Sequence, residues 1–218
     1  MTRQLVLVTL TLEDTHRRDE LEPVAASLGA CVAVLQGPGP SLVGVLDRLA
    51  AERPTDALVR LVAVTCTAST TGRSWVGRVA GHWRRTRASS LAIEVSGRLA
   101  RSFAADEVQA SVDAPGRRVT GAEAALESPA WQEPPPYRHH VLVCRGPRCT
   151  AKGAGDVAVA LDGELSRRGL LDTHVLVAQT GCLYPCNLAP TLVVHPAGTW
   201  YERVEPSDVP RIVAEDLT

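Results

Sequence analysis

Six cysteines are spread over 218 residues, and four of them fall in two close pairs. The first pair is Cys144-Arg-Gly-Pro-Arg-Cys149 and the second is Cys182-Leu-Tyr-Pro-Cys186. Between them lie about thirty residues patterned like a helix and then a strand. Four thiols in this arrangement are a metal ligand set, because soft thiolates suit zinc or an iron–sulfur cluster and disfavour magnesium and calcium. Spacing bears on the choice between those two. Structural zinc sites favour two-residue gaps, with four at the wide end, whereas clusters accept varied loops because each iron takes one thiolate pair. The gaps here are four and three residues. Neither pair has the two-residue gap of a thioredoxin-type dithiol, which removes the motif for disulfide exchange.

Each pair follows an apolar, β-branched run, His140–Val143 before the first and Thr173–Val177 before the second, so each belongs on a loop leaving a strand. Two parallel strand ends would bring the four sulfurs together. Val157, Leu161 and Leu165 repeat every fourth residue on one helix face, and Gly169 stops that helix. Thr191–Val194 and Thr199–Val204 flank a Pro-Ala-Gly turn as a hairpin. Ser207 is expected to cap a last helix that turns Val209, Ile212, Val213 and Leu217 inward.

The order C-x4-C, helix, strand, Gly181-Cys182-x3-Cys186, then Pro190-Thr-Leu-Val-Val-His-Pro-x-Gly198-x-Trp-Tyr201 resembles the thioredoxin-like [2Fe-2S] ferredoxins, a family that includes the small iron–sulfur subunit of respiratory complex I. The resemblance covers about the last eighty residues, the size of a compact small domain. It implies one [2Fe-2S] cluster ligated by Cys144, Cys149, Cys182 and Cys186, carrying single electrons. Arg145, Arg148 and Lys152 surround the first pair, where they would favour the reduced state, steer an acidic redox partner, or simply be solvated. Backbone N–H groups after Cys144 and Cys182 are expected to donate to sulfur, with Gly146 and Gly181 allowing close approach. Tyr184 either shields the cluster from water or is ordinary packing. A structural zinc site is the alternative for the same four thiols.

The elements before this region alternate. Gln4–Leu10, Cys31–Leu35, Ala57–Thr65 and Leu91–Val95 read as strands. Asp19–Leu28 closed by Gly29, a helix capped by Ser41 with Leu42, Val45, Leu46 and Leu49 inward, and Ser74–Arg85 read as the helices between them. Asp106–Val112 and Gly121–Glu127 are weaker helical stretches. The pattern predicts an α/β fold with a parallel sheet covered on both faces. Ser128-Pro-Ala-Trp-Gln-Glu-Pro-Pro-Pro-Tyr137 breaks the periodicity with a stiff polyproline spacer. The expected division is therefore an α/β domain over 1–127, a linker over 128–138 and the thioredoxin-like domain over 139–218.

The first half resembles, through its strand and helix order, Arg17-Arg-Asp-Glu-Leu and Pro40-Ser-Leu, the sirohydrochlorin cobalt or iron chelatase family. That family implies a histidine after the first strand and another after the third. Thr9-Leu10-Thr11 and Gly72-Arg73-Ser74 stand there instead, so the catalytic pair is expected to be absent. His16 and His82 are the remaining candidates for a metal site or, with Arg78 and Arg85, for tetrapyrrole carboxylates; an isolated histidine is more often structural or solvated. Trp75, Val79 and Trp83 at spacing four read as core, and Cys31 and Cys66 as small buried hydrophobes.

A formal net charge of -1 argues against nucleic acid as the main partner. No apolar run reaches the roughly 18 residues of a membrane span, and the opening Met-Thr-Arg-Gln-Leu leads into a strand pattern, so a cytoplasmic location is expected, where paired thiols bind metal more often than they form disulfides. The expectation is an electron-transfer protein with a degenerate chelatase-like domain used for docking or ligand binding, partnered by a redox protein and able to form a homodimer. The alternative is a tetrapyrrole metal chelatase with a regulatory or electron-supplying cluster.

Overall fold

The computed structural model describes residues 2–52, 57–67, 72–87, 89–129 and 132–218. The chain divides into two compact units, Met1–Pro129 and Ala130–Thr218. Ala130 and Trp131 of the expected spacer lie outside the described residues.

The first unit is built on β1 (Thr2–Thr9), β2 (Cys31–Val34), β3 (Ala57–Val64), β4 (Ala92–Ser96) and β5 (Gly116–Arg118), in the order β2-β1-β3-β4-β5. The first four strands are parallel and β5 runs antiparallel along β4. Alternate residues of β1 serve opposite faces, as a two-residue repeat requires. Val6 and Val8 pack with Val59, Leu61 and Ile93 beneath α3 (Leu42–Glu52) and α4 (Gly72–Arg87). Leu5 and Leu7 pack with Val62 and Val64 against α2 (Arg18–Ser27) and α5 (Ala105–Asp113). A sheet buried on both faces explains why these strands are continuous apolar runs.

Several expected elements shift. The first helical segment is preceded by a separate short helix, α1 (Leu12–His16), held by a reciprocal cap in which Thr11 Oγ1 accepts from Asp14 N–H and the Asp14 carboxylate accepts from Thr11 N–H. Gly29 takes a left-handed φ of 61° after α2, and Ser41 Oγ accepts from Gly44 N–H at 3.1 Å ahead of α3, both as the sequence predicts. Residues 121–127 form no helix. Arg85 takes the carbonyls of Gly121 and Glu123, and the Glu123 carboxylate accepts from Thr120 and Gly121 N–H, so these backbone groups are spent on side chains. The strand β5 has no alternating apolar signal because all three of its residues are exposed.

The second unit runs β6 (His139–Cys144), α6 (Pro147–Ala151), α7 (Ala154–Arg167), β7 (Val175–Thr180), β8 (Leu192–His195), β9 (Thr199–Tyr201) and α8 (Val209–Asp216). Sheet order is β7-β6-β8-β9, with β6 and β7 parallel and the other neighbours antiparallel. Val157, Leu161 and Leu165 of α7 meet Val209, Ile212, Val213 and Leu217 over Val141, Val143, Leu192 and Val194. Ser207 does not cap α8. It lies in a tight turn, Pro206–Asp208, closed by Glu205 and Asp208 bonding each other's backbone, because a proline at 206 starts the turn one residue before the serine. Among the described residues no helix is long and apolar enough to cross a membrane.

One buried charge ties β5 to the first sheet. Arg60 on β3 is 2% exposed, pairs with Glu94 at 3.0 Å, and donates to the carbonyls of Val112 and Ala114. A methyl group at Gly116 would sit 1.7 Å from its Nη1, so only glycine lets the guanidinium pass. Arg60→Ala is expected to destabilise the first unit by about 3 kcal/mol, the low end for breaking a buried pair, because Glu94 keeps some solvent. Gly116→Ala should add little on top of it, since both act on one contact. Urea unfolding of the single and double variants measures this; an unshifted midpoint in Arg60→Ala would contradict it.

Candidate metal centre

The parallel pairing of β6 with β7 sets the site. Cys144 stands opposite Thr180, and Arg145 N–H donates to the Thr180 carbonyl at 2.9 Å, so both strands end at the same level. The loop after β6 turns into α6, which carries Cys149, with the Thr150 hydroxyl donating to the Arg145 carbonyl at 3.0 Å. The loop after β7 carries Cys182 and reaches Cys186 at the start of a short turn, Cys186–Leu188. The two loops touch at Gly146, where an added Cβ would lie 3.1 Å from both Cα and Cβ of Cys182. Close approach therefore falls at Gly146. The expected second position, Gly181, faces open space.

The four sulfurs are thus brought to one end of the sheet as two pairs. Cys144 and Cys149 are buried and hydrogen-bond each other. Cys182 is exposed, Cys186 is half-buried, and their sulfurs are 3.3 Å apart. Burial pushes the Cys144 thiol up, but N–H donation from Leu183 and Gly146, with the side chains of Cys149 and Thr191, outweighs it and leaves the thiol below its ordinary value. Burial and then the neighbouring Cys144 push the Cys149 thiol up. For Cys182 the N–H of Tyr184 pulls down, yet the shared bond with Cys186 and the nearby sulfurs leave a net rise. In the first pair Cys144 is therefore poised to hold negative charge while Cys149 donates to it. This donor set, soft, paired two and two and served by backbone N–H groups, is what a bridged di-iron centre takes from a protein.

Sequence reasoning missed two contributors. Leu183 N–H crosses from the second loop to Cys144, and Thr191, at the entry to β8, lies 3.8 Å from Cys149 Sγ. Neither belongs to a cysteine gap, and only the antiparallel placement of β8 beside β6 brings Thr191 there. Tyr184, which the sequence left between shield and packing, is 73% exposed. Arg148 and Lys152 are exposed, and Arg145 donates to the Gln179 side chain.

In the first unit, His16 is exposed at the end of α1 and His82 is half-buried in α4. Among the described residues no group of three or more His, Cys, Asp or Glu side chains closes on a single point, so neither histidine lies in a ready ligand set, and the two thiol pairs adjoin at Gly146 without enclosing one centre. Arg78 stacks over the Trp75 ring at 5.1 Å, and Arg85 serves the 121–123 turn. Trp83 is buried in the core with its indole N–H on Asp47, whereas Trp75 is only half-buried. Cys31 is half-buried and packs against the core. Cys66 is more than a small hydrophobe. The buried Asp14 carboxylate accepts the Cys66 thiol at 3.2 Å, Cys66 N–H at 2.8 Å and the Thr65 hydroxyl at 3.0 Å. Burial and then Asp14 push that thiol up to about 12. The signal was a lone aspartate four residues past a strand, too common to single out.

A family model described as thioredoxin-like [2Fe-2S] ferredoxin matches residues 129–216. A relative from Priestia megaterium is 36% identical over 80 residues, which are 37% of this chain; the chain spans about three fifths of that relative's length (61%). "Ferredoxin, 2Fe-2S" from Clostridium pasteurianum is 34% identical over 88 residues, covering 37% of this chain and 85% of that protein. The crystal structure of the wild-type thioredoxin-like [2Fe-2S] ferredoxin from Aquifex aeolicus is 31% identical, covering 38% of this chain and 87% of that one, at a TM-score of 0.35.

Alkylation of the native, metal-free chain with iodoacetamide near neutral pH, mapped by mass spectrometry, should label Cys182 first and leave Cys144, Cys149 and Cys66 unlabelled until unfolding. The first two are shielded by burial and Cys66 by its raised value. Labelling of Cys66 as fast as Cys182 would contradict the Asp14 contact.

Proposed function

Through residues 129–216 the chain belongs to the thioredoxin-like [2Fe-2S] ferredoxin family, and from that premise we propose that it is a one-electron carrier whose cluster is held by Cys144, Cys149, Cys182 and Cys186. The family implies a [2Fe-2S] cluster. The single observation that carries the ligand assignment is the meeting of two thiol pairs across the Gly146–Cys182 contact at the end of parallel strands β6 and β7. When bound, the cluster supplies reversible one-electron chemistry.

The chain's own residues then have separable tasks. Cys144 and Cys149 would hold one iron and Cys182 and Cys186 the other. The N–H groups of Leu183 and Gly146 stabilise negative charge at Cys144 Sγ, and that of Tyr184 does so at Cys182 Sγ. Ala154 and Ala189 pack around the first pair and keep water from it. The second pair lies toward solvent, which shortens the path to a partner.

For the first unit the reading is a degenerate chelatase-like platform that docks or binds a ligand. It is supported by the strand order, in which β1 is flanked by β2 and β3, and by Thr9-Leu10-Thr11 and Gly72-Arg73-Ser74 in the places of that family's histidines. Open parallel sheets bind ligands where the strand order reverses, outside the ends of β1 and β3. Here Asp14 fills that crevice with hydrogen bonds to Leu10, Thr11, Thr65 and Cys66, which favours a docking role over metal insertion.

Anaerobic reconstitution with iron and sulfide is expected to yield about two irons and two labile sulfides per chain, with a paramagnetic signal after one-electron reduction. Cys144→Ala or Cys186→Ala should lower cluster content at least severalfold without unfolding the first unit. A colourless chain holding one zinc would overturn the assignment.

A further inference from the structure

The segment that carries the first thiol pair is rich in cations. From Cys144 to Gly155 the chain carries Arg145, Arg148 and Lys152; of the carboxylates that follow, Asp156 lies near Gly153, Glu202 is paired with Arg203, and Glu205 is committed to the turn it closes with Asp208. Arg148 and Lys152 are exposed, on and just after α6, and α6 starts at the Gly146 contact with Cys182. On the second loop stands Tyr184, at a left-handed φ of 52° and exposed. A non-glycine residue in that conformation is strained and persists only where the surrounding chain holds it. An exposed aromatic beside a thiol pair, on a loop that meets the start of a cation-bearing helix, has the layout of a protein interface: an apolar anchor with a charged rim.

Resting on the electron-carrier reading above, we propose that the Cys182–Tyr184 tip and the basic residues Arg148 and Lys152 form the docking face for an acidic redox protein, which exchanges one electron with the cluster through the Cys182 and Cys186 side. The full chain has a formal net charge of -1, so attraction to an acidic partner has to come from this local excess of positive charge. Attraction of this kind acts on the rate of encounter and is screened by salt within about 10 Å at 0.1 M.

The test uses the reconstituted full-length chain, reduced with dithionite and freed of excess reductant. It is mixed in stopped flow with ferricyanide, an anion, or hexaamminecobalt(III), a cation; each oxidant molecule takes one electron from one reduced chain. The rate with ferricyanide should fall as salt is raised and that with the cobalt complex should rise. Arg148→Glu should slow ferricyanide about tenfold at low salt and speed the cobalt complex, within the range of electrostatic steering. Lys152→Glu should act in the same direction. Arg167→Glu makes the same change in net charge at the far end of α7, about 20 Å along that helix from α6, and should have little effect. Each variant is compared at equal cluster absorbance, which separates misfolding from altered docking. If the chain takes up a reducible cluster but Arg148→Glu behaves like Arg167→Glu, or ferricyanide speeds up with salt, this docking face is wrong and the carrier reading stands. If no reducible cluster forms, both fall.

Discussion

The site depends on the register between two parallel strands. With Cys144 opposite Thr180, the loops leaving β6 and β7 start at one level and run the same way, and they can approach because residue 146 has no side chain. A slip of one residue would turn Cys144 to the other face of the sheet and carry its sulfur away from Leu183 N–H. The apolar contacts of α7 and α8 with β6 and β8 resist such a slip, since it would also move Val141 and Val143 out of the core. The core of the second unit and its thiol geometry are therefore one constraint.

The two thiol pairs differ in a way that suits their proposed task. Thiolates buried at Cys144 and Cys149 would be costly without donors, and the N–H groups of Gly146, Leu183 and Thr191 supply them. The second pair needs less compensation because solvent reaches it. A site with one closed and one open side can protect a reactive centre and still offer a route for an electron. A fully enclosed site would lengthen that route.

In the first unit the same end of a parallel sheet is organised differently. Asp14 there ties the loop after β1 to the loop after β3, and its oxygens are committed to backbone and side-chain donors. The cations on α4 are committed as well, Arg78 over Trp75 and Arg85 to the 121–123 turn. A crevice whose polar groups satisfy each other is held in one arrangement.

The linear order of residues was enough to place every described strand except β5, most helices, the apolar faces and the four cysteines on two loops after parallel strands, because periodicity and turn chemistry are local properties. It sufficed for the family as well, since cysteine spacing and the closing hairpin lie along the chain. It misplaced the cap of α8 and read residues 121–127 as helix, because Glu205 and Arg85 compete for those backbone groups from outside the pattern. Only the tertiary structure decided that Gly146 rather than Gly181 is the point of close approach, that Leu183 and Thr191 serve the sulfurs, that Asp14 holds Cys66, and that Tyr184 stands in solvent. Each of these depends on groups distant in sequence meeting across a sheet, and no local pattern encodes such a meeting.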